Sequence, residues 1–224
     1  MNKTEIIRKL RSLGSEKDRK GMARFGIKTK NAFGISVVEL RKLAKRVGTD
    51  HRLAQDLWKS RYHEARLLAS FIDDPDEVTE AQMERWVRAF DSWDVCDQCC
   101  GFLFDKTIHA RTKALQWSRR KEEFVKRAGF VLMAALSVHA KELNDDVFLK
   151  FLPRIIAESD DERNFVKKAV NWALRQIGKR NRRLNKRAIT TARKIAKLGT
   201  RSAKWIAADA LRELTNPKTR QRLR

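Results

Sequence analysis

Only nine glycines and three prolines interrupt 224 residues, and no stretch sustains the two-residue alternation of apolar and polar side chains that marks a half-buried strand. A chain of this kind folds as helix after helix. Apolar periodicity places helices over 2–13, 37–47, 50–59, 61–72, 79–90, 91–104, 106–118, 121–138, 144–157, 160–178, 184–197 and 200–214. Their short connections favour antiparallel neighbours. Three starts carry Ser or Thr followed three residues later by Glu or Gln, the capping-box pattern: Ser36 with Glu39, Thr79 with Gln82 and Ser159 with Glu162. The exception is 14–36, rich in glycine and in lysine or arginine, which reads as a loop.

A weak repeat runs through the helices. The segments opening at His63, Val125, Val166 and Arg201 each begin with charged residues and then place a small alanine near the start of an apolar run. Ala128, Ala169 and Ala203 stand 41 and 34 residues apart, the length of a helical pair. Small residues at a recurring position let stacked helices approach closely. The fold class expected is therefore all-α, an α-solenoid of about six helical repeats with a concave basic face, forming one domain over 1–224. A non-repetitive helical bundle is the alternative.

Fifty-one Lys and Arg against 28 Asp and Glu give a formal net charge of +23, which draws a protein to polyanions, nucleic acid above all. No run approaches 18 apolar residues, so no membrane partner is expected, and no secretory signal is apparent, which fits a cytoplasmic location. Cys96, Cys99 and Cys100 are too few and too close for a disulfide framework. They lack the second pair or histidines that a zinc site needs, so they read as small buried hydrophobes, with no metal and no cofactor expected.

The positive charge is uneven. From Asp73 to Asp105 ten acidic residues face Arg85 and Arg88 alone. Either this segment turns away from the polyanion, or one carboxylate is retained for chemistry on it. In Ser-Trp-Asp-Val-Cys-Asp-Gln-Cys-Cys (92–100), Trp93 and Asp97 lie four apart on one helical face. Val95, Cys96, Cys99, Phe102 and Leu103 form the core stripe. The result is a ring and a carboxylate side by side off the core, or else an exposed tryptophan near an ordinary surface aspartate.

Helix 160–178 buries Val166, Ala169, Val170, Ala173 and Ile177, and sets Trp172 among Lys168, Arg175 and Lys179. A ring in a cationic stripe suits a sugar or base while the cations hold phosphates; otherwise Trp172 packs on the adjoining repeat. Arg127 opens an apolar helix, with Glu123 as its structural partner or a phosphate as its functional one. From 178 onward sixteen Lys or Arg oppose Asp209 and Glu213, and the loop over 17–30 adds six more cations. Trp58, Trp86, Trp117 and Trp205 fall within apolar periodicity and read as core.

Ser-Trp-Asp-x-x-Asp (92–97), Phe-Val-Lys-Arg-Ala (124–128) and Lys-Lys-Ala-Val-Asn-Trp-Ala-Leu-Arg (167–175) together resemble the AlkD-like DNA alkylation repair family, over nearly the whole chain. The resemblance implies a HEAT-like-repeat DNA glycosylase that excises purines alkylated at N3 or N7. Asp97 would match the catalytic carboxylate, Trp93 and Trp172 the aromatics that cradle the lesion's deoxyribose and backbone, and Arg127 the phosphate-contacting arginine. The cysteine-rich run at 96–100 departs from the pattern, and some relatives bind DNA without excising bases. The implied partner is double-stranded DNA containing alkylated bases, bound by a monomer.

The chemistry is consistent with a single carboxylate. Alkylation at N7 or N3 makes the base a cationic leaving group that needs no proton. Bond cleavage then develops positive charge on the sugar, which one aspartate near C1′ can stabilise. Three functions compete: an alkylpurine glycosylase, a non-enzymatic solenoid binding bent, branched or damaged duplex, and a protein-interaction solenoid for acidic partners. An inward Trp93–Asp97 face separates the first from the second. The tryptophan in the cationic stripe separates both from the third.

Overall fold

In the computed structural model, which describes residues 1–223, fourteen α-helices and one short 3₁₀ turn make up the regular structure, with no strand among the described residues. Every helix read from periodicity is present. In chain order they are α1 (Lys3–Leu13), α2 (Glu16–Arg24), α3 (Val37–Val47), α4 (His51–Lys59), α5 (His63–Ile72), α6 (Glu80–Arg88) and α7 (Trp93–Phe102). There follow α8 (Ala110–Trp117), α9 (Glu123–His139), α10 (Asp145–Ala157), α11 (Asn164–Gly178), α12 (Arg182–Ala196), α13 (Arg201–Leu214) and α14 (Pro217–Gln221). Packing separates the chain into two compact units, Met1–Thr107 and Ile108–Arg224.

In the second unit, alternate helices form two rows. α11 packs on both α9 and α13, while α10 packs on both α8 and α12. Consecutive helices also pair, α8 with α9, α10 with α11 and α12 with α13, which is the arrangement of stacked helical pairs. The first unit repeats the motif in α3, α5 and α7, with α5 packed on both of the others and on α4. The marker alanines occupy such rows within each unit: Ala65 on α5 in the first, and Ala128 on α9, Ala169 on α11 and Ala203 on α13 in the second, are all fully buried. A larger side chain there would push neighbouring helices apart.

Polar bonds link successive repeats. The Arg180 guanidinium donates to the carbonyls of Ser137, Ala140 and Leu143, and the Ser202 hydroxyl donates to the Ser159 carbonyl at 2.8 Å. These contacts correct one expected cap. Ser36 and Thr79 do accept from the N–H groups of Glu39 and Gln82, but Ser159 caps nothing. α11 starts four residues later than expected, with Arg163 at its N-cap position, and Glu162 accepts instead from the Ser202 N–H that opens α13. The pattern of Ser followed by Glu is the same, yet the carboxylate serves the next repeat.

The loop expected over 14–36 contains α2. Ser15 caps it, accepting from the Asp18 N–H, but none of its residues is buried, so it has no apolar stripe to betray it. The turn after it is held from a distance. Glu64, fully buried on α5, accepts from the backbone N–H groups of Phe33, Gly34 and Ile35. Gly34 is required here: its φ is +83°, and a Cβ would stand 2.1 Å from the Ser15 carbonyl oxygen.

Two further readings are corrected. Trp58, Trp86 and Trp117 are core, but Trp205 on α13 is 40% exposed, with the Lys167 ammonium 5.7 Å from its ring. Phe102 leaves the core stripe of α7 and lies under the Arg41 guanidinium, 4.2 Å from ring centre to cation, where it packs edge-on to Phe71.

Candidate nucleic-acid interface and catalytic face

Helix α7 begins at Trp93 and buries Val95, Cys96, Cys99 and Cys100, so the three cysteines are core thiols. Burial pushes the Cys99 and Cys100 thiols well above their ordinary range, which makes them poor nucleophiles. Trp93 and Asp97 are both partly exposed and lie one turn apart on α7. The indole of Trp93 is fixed: its Nε1 donates to the Phe25 carbonyl at 3.0 Å, across the turn that ends α2.

Asp94, one residue from Trp93, does a different job. It is buried and lies 2.7 Å from His63 Nε2 on α5, while its other oxygen accepts from the Val95 N–H. Burial alone would raise its carboxyl, but the hydrogen bond and charge of His63 and the Val95 N–H outweigh it, leaving the group below its ordinary value. Asp94 thus anchors the first turn of α7 to α5 and orients the helix that presents Trp93 and Asp97. The His63 contribution was invisible in sequence, because the partner lies 31 residues away on another helix.

Other carboxylates of the acidic segment also serve internal contacts. Asp73 is buried between His51 and the Gln82 carboxamide, each 2.6 Å away, and burial raises its carboxyl despite those partners. Asp91 meets Arg66 at 2.7 Å. Of the ten carboxylates, Asp73, Asp94 and Asp105 are buried. They build the first unit rather than repel a polyanion at its surface.

In the second unit, α11 presents Trp172, partly exposed, beside the exposed Lys168. Two other cations expected on this stripe are partnered by α13: Arg175 lies 3.3 Å from Asp209 and 2.9 Å from Glu213, and Lys179 lies 2.7 Å from Glu213. Asn171 donates to Asp209 at 2.7 Å. The two acids that interrupt the basic C-terminal segment are therefore aimed at α11. Arg127, on α9, is buried, and its guanidinium donates to the Phe165 carbonyl at 2.6 Å, a backbone partner in the first turn of α11. Its place is inside the repeat junction. The exposed Trp205 above Lys167 adds an aromatic to the α11–α13 surface that periodicity had assigned to the core.

Among the described residues no group of His, Cys, Asp and Glu side chains is arranged to hold a metal ion, and no helix is long and apolar enough to cross a membrane. A helical-repeat scaffold carrying basic and aromatic surfaces is the class that fold and side chains define together. The sequence matches the DNA alkylation repair enzyme family over residues 6–217, and the chain belongs to that family. A solved structure described as representing a new family of proteins related to the HEAT-like repeat DNA glycosylases, with affinity for branched DNA structures, is similar to it. The TM-score is 0.79 at 18% identity, over 95% of each chain. That likeness establishes the HEAT-like helical-repeat fold. No functionally curated protein matches the sequence.

Proposed function

We propose that this protein is a DNA glycosylase that removes purines made cationic by alkylation at N3 or N7. The observation that carries the reading is the pairing on α7 of a partly exposed Asp97 with an indole held in place one turn earlier, in a chain of the DNA alkylation repair enzyme family. In this reading Asp97 faces the deoxyribose as the glycosidic bond breaks. Its negative charge stabilises the oxocarbenium-like sugar and orients water toward C1′, and the alkylated base departs without protonation. The rings of Trp93 and Trp172 contact sugar and backbone, while Lys168 and the cations of α2 and α12 hold phosphates. Arg127 supports the backbone of the junction from which α11 starts. The protein acts on double-stranded DNA as a monomer in the cytoplasm, without a metal or cofactor. Incubating it with duplex carrying one N7-methylguanine and scoring abasic sites tests the reading: strand breaks after alkali at the lesion alone support it, and intact strands refute it.

A second reading is non-enzymatic binding of bent or branched DNA. It is favoured by the described affinity of the structurally similar family for branched DNA and by the ion pairs that hold Arg175 and Lys179 back from a simple phosphate stripe. Under that reading Asp97 is dispensable and four-way junctions compete better than alkylated duplex.

A further inference from the structure

Arg61 ends α4 in a conformation that glycine ordinarily supplies. Its φ is +61°, the only positive value at a non-glycine position among the described residues, and it directly follows Ser60, the C-cap of the helix. A left-handed backbone crowds the Cβ of any residue but glycine. Strain of this kind marks a position where the side chain has a use beyond the turn. The turn itself is fixed on the far side: Tyr62 stacks on Phe33 with ring centroids 4.8 Å apart, and the His63 N–H donates to the Asn31 carbonyl at 2.8 Å. The Arg61 side chain is exposed, and its guanidinium makes no ion pair or hydrogen bond among the described residues.

Arg61 lines a cavity of about 330 Å³ together with Asn31, Trp58, Lys59, Arg66 and Asp91. Arg66 is only 8% exposed; it donates to the Ala89 carbonyl at 3.0 Å and to Asp91 at 2.7 Å, while its Nε has no hydrogen-bond partner. Three cations thus share the cavity with one carboxylate. Cations after the last turn of α4 also suit its dipole, and Lys59, 3.3 Å from Asp56, is accounted for in that way. Arg61 and the spare donors of Arg66 are not. A guanidinium fork matches the oxygens of a phosphate, which it can hold by two parallel bonds. We propose that this cavity binds a phosphate group of a DNA strand, held by Arg61 with Lys59 and Arg66. Asp91 stands two residues before Trp93, so a phosphate held here fixes the register of the strand that meets that indole. The inference rests on the DNA-binding part of the reading above and concerns binding alone.

The strained backbone supplies a clean variant. Arg61→Gly removes the cation and relieves the left-handed crowding, so it should melt near the wild-type temperature. The test is binding of undamaged duplex over a salt series, by fluorescence anisotropy. At low salt Arg61→Gly should bind at least about fivefold more weakly, with a slope of log affinity against log salt shallower by about 1. Arg61→Lys keeps the charge and should keep the slope. Arg52→Gln removes an exposed cation from the other end of α4 and should change affinity by less than about twofold. An Arg61→Gly protein that melts normally and keeps the wild-type affinity and slope overturns the proposal. So does an equal loss in Arg52→Gln, since net charge and not the cavity would then be the cause. Melting in inorganic phosphate, against chloride at equal ionic strength, separates the sources. Phosphate that raises the melting temperature of the wild type but not of Arg61→Gly, with DNA binding equal in the two, makes a free phosphate the occupant and overturns the assignment to DNA. Excision of N7-methylguanine, scored on the same proteins, keeps the two readings apart. A wild type that never excises, beside an Arg61→Gly with weakened binding, refutes the glycosylase and supports the phosphate site.

Discussion

Helices α7 and α11 each present a tryptophan beside charged side chains, but they spend their charge in opposite ways. On α7 the buried carboxylate, Asp94, is paired with His63 and fixes the helix, while Asp97, one turn after Trp93, stays partly exposed. On α11 the surface cations Arg175 and Lys179 are paired with Asp209 and Glu213, and Lys168 stands exposed beside Trp172. Net charge is thus a poor guide to where charge is available. Three carboxylates of the acidic stretch, Asp73, Asp94 and Asp105, are interior structure in a strongly basic protein, and part of its basic stretch is neutralised by Asp209 and Glu213.

The largest effect that bears on this contrast belongs to Glu64, the support beneath α2 and Trp93. Glu64→Ala strips the acceptor from three backbone N–H groups in a buried turn and should cost about 3–5 kcal/mol of stability. Denaturant melts check it; a loss below about 1 kcal/mol would show that α2 and the turn are not held from α5.

Next comes Asp94. Asp94→Asn should cost about 1–3 kcal/mol, with a particular pH dependence. The Asp94 carboxyl lies below its ordinary value when folded, so the wild type gains from it above about pH 4 and loses that gain as acid protonates the folded group. The stability gap between wild type and variant should therefore be open near neutrality and close on acidification below about pH 4. A gap that widens in acid would mean that burial, not His63, governs this carboxyl.

The smallest effect probes α11. Glu213→Gln releases Lys179 and leaves Arg175 paired with Asp209 alone, so binding to undamaged duplex should tighten at low salt. The slope of log affinity against log salt should steepen by about 1 for each cation that reaches a phosphate. An unchanged slope would mean that these cations lie away from bound DNA.

Much of this architecture was legible because helix periodicity and small-residue spacing are local signals. The marker alanines lie where stacking demands them, and the tryptophans on α4, α6 and α8 are core. What escaped was decided at a distance. α2 buries none of its residues and is held through its turn by Glu64, 31 positions from Phe33, so no stripe announced it. Ser159 and Glu162 carry a cap signature, but Ser202 claims the carboxylate. Trp205 has core-like spacing, yet its helix turns that edge outward over Lys167. Off-core placement of Trp93 and Asp97 could be read from the helical wheel. The indole's bond to Phe25 and the burial of Arg127 against Phe165 could not, since each depends on which helices stack.

The account rests on Asp97 acting through its charge, and Asp97→Asn tests that most directly, because it keeps size and shape. Excision of N7-methylguanine from duplex DNA, followed in single turnover with enzyme in excess, should fall by at least about 10²-fold, the scale for losing one preorganised electrostatic group. Affinity for undamaged DNA should hold or tighten. An Asp97→Asn protein that excises at the wild-type rate would contradict the account.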